Sequence, residues 1–202
     1  MHDCIVAAAG ASSRMGAFKP LLDFRGSTIV QTVVGEAFAA GCRVLLVVGH
    51  RGDEIARLFA PSAGVEVLRN AGWECGLLSS IQTALPAIRS KSFFVMLGDM
   101  PFVGREAYGL LARGTFGADP PPRARIASFE GRKGHPVLVP SAWIPEILAL
   151  PPEGLLRDYL ATMPVELVDS GSDAALVDLD TPADYADRLG DPQSGPSAGT
   201  RH

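Results

Sequence analysis

Short apolar runs alternate with amphipathic segments along the first half of the chain. The runs are rich in β-branched residues and carry few polar side chains, which is typical of strands that are covered on both faces. The segments between them repeat apolar residues at helical spacing. This alternation predicts a doubly wound, mostly parallel sheet with right-handed crossovers. The predicted strands are 5–9, 44–48, 65–68 and 93–97, and the predicted helices are 28–40, 53–59 and one that opens within 70–80 and ends near 88.

The regular alternation ends after residue 101. Two strands at 126–129 and 136–139 flank a short turn, which predicts an antiparallel addition to the sheet. The segment 117–125 contains three consecutive prolines and predicts a surface loop. Further predicted elements are helical segments at 143–150 and 155–163, brief strands at 165–168 and 176–179, and a closing helix at 182–189. We expect one domain over 1–190 and a disordered tail over 191–202.

Composition narrows the function classes. A chain of 202 residues with 47% hydrophobic content can bury one sizeable core. The net charge of −4 argues against a nucleic-acid or anionic-membrane partner. The apolar runs are far shorter than the roughly 20 residues of a membrane helix, and the pattern of a secretory signal is missing, so we expect a soluble cytoplasmic protein. The three cysteines, at wide spacings, fit reduced thiols better than a disulfide framework or a zinc site.

A glycine-rich loop follows the first predicted strand. Gly10 ends the apolar run, and the loop that follows offers hydroxyl donors and cations suited to an anion, namely Ser12, Ser13, Arg14 and Lys19. The loop differs from a Walker A motif because only two residues separate Gly16 from Lys19 and Pro20 occupies the position of the magnesium-binding hydroxyl. It also lacks the dinucleotide-binding G-x-G-x-x-G pattern. The alternative interpretation is a solvated surface turn.

Carboxylates occur near two later strand ends. Asp99 follows Gly98 after the fourth predicted strand, where ligands bind in open α/β sheets and where a carboxylate can hold a divalent metal. Its alternative role is that of a turn or cap residue. Asp178 and Asp180 would share one face of the predicted strand at 176–179. Asp180 could equally be the N-cap of the closing helix.

Two further segments carry polar side chains next to glycine. In the segment 70–81, Gly76 permits a close backbone approach, while Ser79 and Ser80 could donate to a ribose or base, or simply cap a helix. Trp73 in the same segment is more typical of packing. Gly134 and Pro136 flank His135; a single histidine in such a place is more often structural than functional.

These motifs together resemble a known enzyme family. The pattern A-A-G-x-S-S-R-M-G-x-x-K-x-L-L, from Ala8 onwards, resembles the signature loop of nucleotidyltransferases with a GT-A-like α/β fold, and is most similar to the molybdenum cofactor cytidylyltransferases. The family motifs G-D-M-P, D-x-D-T-P, N-x-x-W-x-x-G-L-x-x-S-I and G-H-P are matched at 98–101, 178–182, 70–81 and 134–136. The resemblance covers the chain from Ile5 to about Leu189.

The resemblance implies a Rossmann-like three-layer α/β/α fold. It also implies the transfer of CMP from CTP, or of a nucleotide from another nucleoside triphosphate, to the terminal phosphate of molybdopterin or a related acceptor. It implies Mg²⁺ as cofactor, catalytic roles for Arg14, Lys19 and Asp99, and metal binding by Asp99 and Asp180. The implied acceptor contacts are Gly134, His135 and Asp178. The implied nucleotide contacts are Ala8, Ala9, Gly10, Ser12, Ser13, Arg14, Gly16, Lys19, Asn70, Gly76, Ser79 and Ser80.

Other functions fit the same resemblance. The acceptor could be a sugar phosphate or an alcohol phosphate, or GTP could serve in guanylyl transfer to molybdopterin. The chain could also be a non-catalytic protein that delivers the finished cofactor to a molybdenum hydroxylase apoenzyme. The proline-rich segment 117–125 departs from the family pattern and leaves the shape of the acceptor side open.

Overall fold

A seven-stranded sheet forms the centre of the protein. The computed structural model describes residues 1–11, 18–59, 64–113 and 122–179. The strands are β1 (Asp3–Ala8), β2 (Asp23–Phe24), β3 (Ser27–Thr28), β4 (Arg43–Val48), β5 (Val65–Arg69), β6 (Ser92–Leu97), β7 (Ala124–Phe129), β8 (Arg132–Pro140) and β9 (Val165–Asp169). The α-helices are α1 (Ile29–Ala39), α2 (Gly52–Leu58), α3 (Leu77–Ala84), α4 (Arg105–Ala112), α5 (Ile144–Leu148) and α6 (Leu156–Ala161).

The strand order in the large sheet is β5-β4-β1-β6-β8-β7-β9. The first four strands of that order are parallel, and β8 runs antiparallel to both β6 and β7. The last strand, β9, is parallel to β7. The predicted mostly parallel sheet with an antiparallel addition in the second half is therefore confirmed. The two-residue strands β2 and β3 form a separate small hairpin.

Side-chain alternation along β1 divides the core into two layers. Cys4 and Val6 contribute to a cluster that also contains buried residues of α1, α2 and α4. Ile5, between them, contributes to a cluster that contains residues of α3, α5 and α6. Because neighbouring residues of a strand face opposite sides of the sheet, helices cover both faces. The three-layer α/β/α arrangement is confirmed.

Helix α1 begins with a capping box formed by Thr28 and Gln31. The Thr28 hydroxyl accepts a hydrogen bond from the Gln31 amide at 3.2 Å, and the Gln31 side-chain oxygen accepts one from the Thr28 amide at 3.3 Å. This reciprocal pair is a capping box, and it satisfies two amides at the helix N-terminus.

Two predicted elements differ from the structure. The strand predicted at 176–179 is wrong: a 3-10 helix covers Asp173–Leu176, and the chain up to Leu179 is irregular. There the backbone makes individual hydrogen bonds, such as Leu179 N–H to the Asp99 carbonyl at 3.2 Å, in place of a ladder. The loop predicted at 117–125 extends too far, because β7 already begins at Ala124. The predicted closing helix and tail lie outside the described residues.

Arg125, the second residue of β7, is held by groups from distant parts of the chain. Its guanidinium is buried, donates to the carbonyls of Leu110 and Leu111 at the end of α4, and pairs with Glu166 at 3.0 Å. These acceptors come from distant parts of the chain, so the local composition of 117–125 does not indicate that Arg125 belongs to a buried strand. Helix α4 itself also lacked a predicted counterpart.

The cysteines match the expectation of unpaired thiols. Cys4, Cys42 and Cys75 are free, and burial raises the pKa of the Cys4 thiol and raises the pKa of Cys42 to about 12. Both buried thiols are therefore protonated and contribute to packing at neutral pH. Within the ranges that the structure describes, every helix is too short or too polar to cross a membrane.

Asp3 fixes the amino end of β1. Its side chain is buried, pairs with Arg43 at 2.9 Å, and accepts hydrogen bonds from the Arg89 and Ser90 amides at 2.6 and 2.8 Å. Burial alone would raise the pKa of Asp3, but these hydrogen bonds and the arginine outweigh burial and lower it.

We therefore expect Asp3→Asn to destabilise the protein by about 1–3 kcal/mol at pH 7. Because the carboxyl pKa is lower in the folded state, the stabilisation is present above the unfolded-state pKa and is lost as the pH falls through the folded-state pKa. Urea unfolding at several pH values measures this: the gap between wild type and variant should narrow below about pH 4. An equal gap at pH 7 and pH 3 would contradict the assignment.

Candidate nucleotide and acceptor site

A cavity of about 320 Å³ opens at the carboxyl edge of the parallel strands. We call it the strand-end cavity. It is bounded by the residues that follow β1 and β6 and by the start of α3, and its lining includes Ala9, Gly10, Trp73, Gly76, Leu77, Ser80 and Asp99. This is the edge where open α/β sheets bind ligands, because loops from neighbouring strands diverge there.

Lys19 and Asp99 meet beside this cavity. The Lys19 Nζ lies 3.0 Å from Asp99 Oδ2, although 80 residues separate the two in sequence. Lys19 is only 5% exposed, whereas the Asp99 side chain is 29% exposed. A buried ammonium group requires a negative partner, and here the partner is a carboxylate that also reaches the cavity.

The end of the described chain reaches the same point. The Leu179 amide donates to the Asp99 carbonyl, and the Leu179 side chain packs with Phe24 and Ile29 in a small buried cluster. The stretch that contains Asp178 is thereby held against the strand end after β6. The next residue in sequence, Asp180, lies outside the described residues, as do the predicted contacts Ser12, Ser13, Arg14 and Gly16.

The serines of the 70–81 segment have different surroundings. Ser80 lines the strand-end cavity. The Asn70 amide group donates to the hydroxyls of Ser79 and Ser80 at 2.8 and 3.0 Å, and the Ser79 hydroxyl in turn donates to the Gly76 carbonyl at 2.8 Å. Asn70, Ser79 and Ser80 are all buried, and their hydrogen bonds hold the loop whose backbone forms the cavity wall.

Gly98 and Gly49 allow these segments to approach closely, and Gly76 provides a backbone conformation that other residues rarely adopt. A Cβ on Gly98 would lie 2.9 Å from the Ala8 Cβ, and a Cβ on Gly49 would lie 2.7 Å from the Trp73 ring. Gly76 has φ +110 and ψ −166, a conformation that is essentially restricted to glycine. The glycines at these positions are therefore required by the packing and backbone geometry of the strand ends.

An aromatic row borders the cavity on one side. The His50 ring packs edge-on against Phe18 and Trp73, with centroid distances of 5.7 and 5.3 Å. Phe18 precedes Lys19, and Trp73 lines the cavity. Trp73 thus both packs against His50 and lines the strand-end cavity. In the sequence, only its place in the N-x-x-W motif indicated that it lines the cavity.

A second cavity, of about 380 Å³, lies on the α3 side of the sheet; we call it the His135 cavity. Leu77 lines both cavities, so the start of α3 separates them. His135 Nδ1 lies 3.3 Å from the Val95 carbonyl, which can only accept, so Nδ1 carries the proton of this bond. Burial lowers the pKa of His135, while that hydrogen bond and the negative charge of Asp99 oppose the shift. Gly134 packs against the Ala175 carbonyl, where a Cβ would not fit.

The geometry described so far brings together several predicted site residues. Ala9, Gly10, Gly76, Ser80 and Asp99 line one cavity, His135 and Gly134 line its neighbour, and Lys19 pairs with Asp99. Lys133 and Arg157, which line the His135 cavity, were outside the predicted set because nothing in their local sequence distinguishes them from surface charges.

Comparison with protein families gives a match over residues 4–168 to the model described as MobA-like NTP transferase domain. The chain belongs to this family. It is 30% identical over 187 residues to the molybdenum cofactor cytidylyltransferase of Escherichia coli K12, covering 91% of this chain and 93% of the relative. The family resemblance inferred from the motifs is therefore confirmed.

Solved structures agree on the fold. A nucleotidyl transferase from Methanothermobacter superposes with a TM-score of 0.80 at 22% identity, covering 94% of this chain and 96% of the other. A manganese complex of Rv0371c from Mycobacterium tuberculosis H37Rv superposes with a TM-score of 0.68 at 23% identity, covering 93% and 97%.

Gly10 and Gly98 provide a matched test of the strand-end cavity. A Cβ on Gly10 meets no described atom within 4 Å, so Gly10→Ala should leave the melting temperature unchanged. The added methyl group would instead occupy space needed by the nucleotide, and the KM for the nucleotide should rise about tenfold or more. Gly98→Ala should instead destabilise the fold by about 1–3 kcal/mol through the clash with Ala8. Differential scanning fluorimetry and steady-state kinetics measure the two effects; an unaltered nucleotide KM in Gly10→Ala would contradict the assignment.

Proposed function

We propose that this protein transfers CMP from CTP to the terminal phosphate of molybdopterin and releases pyrophosphate. The observation that carries the proposal is the Lys19–Asp99 pair beside the strand-end cavity. Membership of the NTP transferase family supports nucleotidyl transfer, and the cytidylyltransferase relative supports the choice of base and acceptor. The product would then pass to a molybdenum hydroxylase apoenzyme in the cytoplasm.

The reaction is a displacement at the α-phosphorus of CTP. An oxygen of the acceptor phosphate forms a bond to that phosphorus, and the bond to the β-phosphate oxygen breaks, so that pyrophosphate leaves with the bonding electrons. The acceptor phosphate is already an anion, and a strong general base is unnecessary. Catalysis then consists of in-line positioning and of neutralising charge on the triphosphate.

Lys19 suits the charge-neutralising task. Its ammonium group is held in a nearly dry place, where electrostatic attraction to a phosphate is stronger than in bulk water. Arg14, in the same loop by sequence, is proposed to assist it. Ala8, Ala9 and Gly10 are proposed to offer backbone contacts, and Gly76 and Ser80 to contact the nucleoside from the opposite wall.

The residues present fit a divalent cation. Asp99 offers one partly exposed carboxylate, and the chain that leads to Asp180 is tied to it through the Leu179 amide. The described ranges contain no cluster of three or more His, Cys, Asp or Glu residues, and Mg²⁺ commonly takes only one or two carboxylates while substrate phosphates complete its shell. When bound, the cation supplies positive charge to the triphosphate. We propose Mg²⁺ held by Asp99 and Asp180; the manganese complex of a protein with this fold supports a divalent site.

The His135 cavity is the proposed acceptor site. It adjoins the strand-end cavity across Leu77, and its apolar walls suit a flat heterocycle. With Nδ1 donating to Val95, the neutral ring keeps Nε2 as a hydrogen-bond acceptor for an N–H group of the substrate. Gly134 and Asp178 are proposed to support this side of the site.

A thermal-shift series with CTP, GTP, ATP and UTP tests the choice of base. At about 100 times Kd, with magnesium present, CTP should raise the melting temperature by about 5–10 °C, because it binds the folded state only. The other triphosphates should give clearly smaller shifts. A larger melting shift with GTP than with CTP would contradict cytidylyl transfer and indicate guanylyl transfer.

Charge-removing variants test the proposed catalytic pair. Lys19→Met and Asp99→Asn should each lower kcat for pyrophosphate release by about 100-fold or more. Asp99→Asn should also cost about 1–3 kcal/mol of stability, because it removes the carboxylate that pairs with the buried Lys19. Asp53→Asn, on the exposed surface of α2, is the matched control and should retain full activity. Folded variants with normal turnover would refute the roles, and intact cofactor binding without turnover by the wild type would favour a delivery protein.

A further inference from the structure

The His135 cavity combines apolar walls with two cations. Its sides come from leucine, isoleucine and valine side chains, and the charged groups that line it are Lys133 on β8 and Arg157 on α6. An apolar cavity has no need of charged side chains for its own stability. Both charged side chains are exposed to solvent where they line this cavity, so an anion that enters the cavity can reach them.

Lys133 is close to the reacting end of the site. Strands β6 and β8 pair Ser92 with Pro140 and Val95 with Val137, so the pairing progresses towards Asp99 on one strand and towards Lys133 on the other. His135, two residues from Lys133, is close enough to Asp99 to respond to its charge. Lys133 thus lies at the same edge of the sheet as Asp99, on the acceptor side.

Neither cation forms a short ion pair with another residue of the described chain. Lys133 has no ion-pair partner within the described ranges, and Arg157 is paired only with its neighbour Asp158, at 3.7 Å on the exposed surface. Lys19, by contrast, is buried against Asp99. Two cations that line a cavity and remain available in this way can bind an anion without first breaking a strong internal pair.

The reaction creates a requirement for such cations. An acceptor phosphate has to approach the triphosphate, and two anions repel each other unless each is neutralised. Lys19 and Asp99 serve the triphosphate side in the proposed function. The acceptor phosphate needs positive charge of its own, from the opposite wall.

We propose that Lys133 and Arg157 form the anion-binding pair for the phosphate of the acceptor, which makes them specificity-determining residues for a phosphorylated heterocycle. This inference rests on the proposed function. Lys133, at the edge of the sheet that also carries Asp99, orients the attacking phosphate. Arg157, on α6, contributes the second positive charge to that phosphate. Acceptors that lack the phosphate should bind weakly.

The test measures acceptor binding without turnover. Pterin fluorescence in the absence of CTP gives the Kd for molybdopterin. Lys133→Met and Arg157→Gln should each raise this Kd about tenfold or more, and should each weaken its dependence on salt concentration. The melting shift caused by CTP should stay at its wild-type value in both variants. Lys91→Met, at the amino end of β6, and Arg132→Gln, beside Lys133, are matched controls that should leave the Kd unchanged.

An unchanged molybdopterin Kd in both variants would overturn the inference, as would an equal loss of CTP binding. Failure of the proposed function is a separate result: the wild type would release no pyrophosphate from CTP and molybdopterin, while the difference in Kd between wild type and variants would persist.

Discussion

The ion pair between Lys19 and Asp99 is the interaction on which the site depends. An ammonium group with 5% exposure would be unstable without a nearby anion, and the nearby anion is the carboxylate that follows the central strand β6. The pair fixes the segment around Lys19 against the sheet. It also keeps a positive and a negative group together beside the strand-end cavity, which is the combination that the proposed triphosphate and metal ion would require.

The rest of the fold makes this meeting possible. Parallel strands bring the residues after β1, β4 and β6 to one edge, and glycines at positions 49 and 98 let those segments touch. At the far end of the same sheet, Asp3 ties β1 to Arg43 and to the segment before β6. The antiparallel strand β8 places His135 and Lys133 at a neighbouring cavity, and the two cavities share Leu77 in their walls.

The sequence predicted the parts of this arrangement that depend on local pattern. Apolar runs predicted the strands, the helical spacing of apolar residues predicted α1, and motif order indicated that Lys19 and Asp99 belong to one site. Properties that depend on distant contacts were not predictable. The strand expected at 176–179 is replaced by single hydrogen bonds to the Asp99 backbone, Arg125 is buried by acceptors on α4 and β9, and Ser79 is occupied by the Asn70 network. Lys133 and Arg157 resemble ordinary surface charges until the cavity between them is seen.

The most direct measurement for the central claim is a crystal structure with a non-hydrolysable CTP analogue and magnesium. The account predicts that the triphosphate occupies the strand-end cavity, that Lys19 Nζ lies within hydrogen-bond distance of a phosphate oxygen, and that Asp99 coordinates the metal. A complex in which the nucleotide lies elsewhere, with the Lys19–Asp99 pair intact and neither side chain in contact with the triphosphate or the metal, would contradict it.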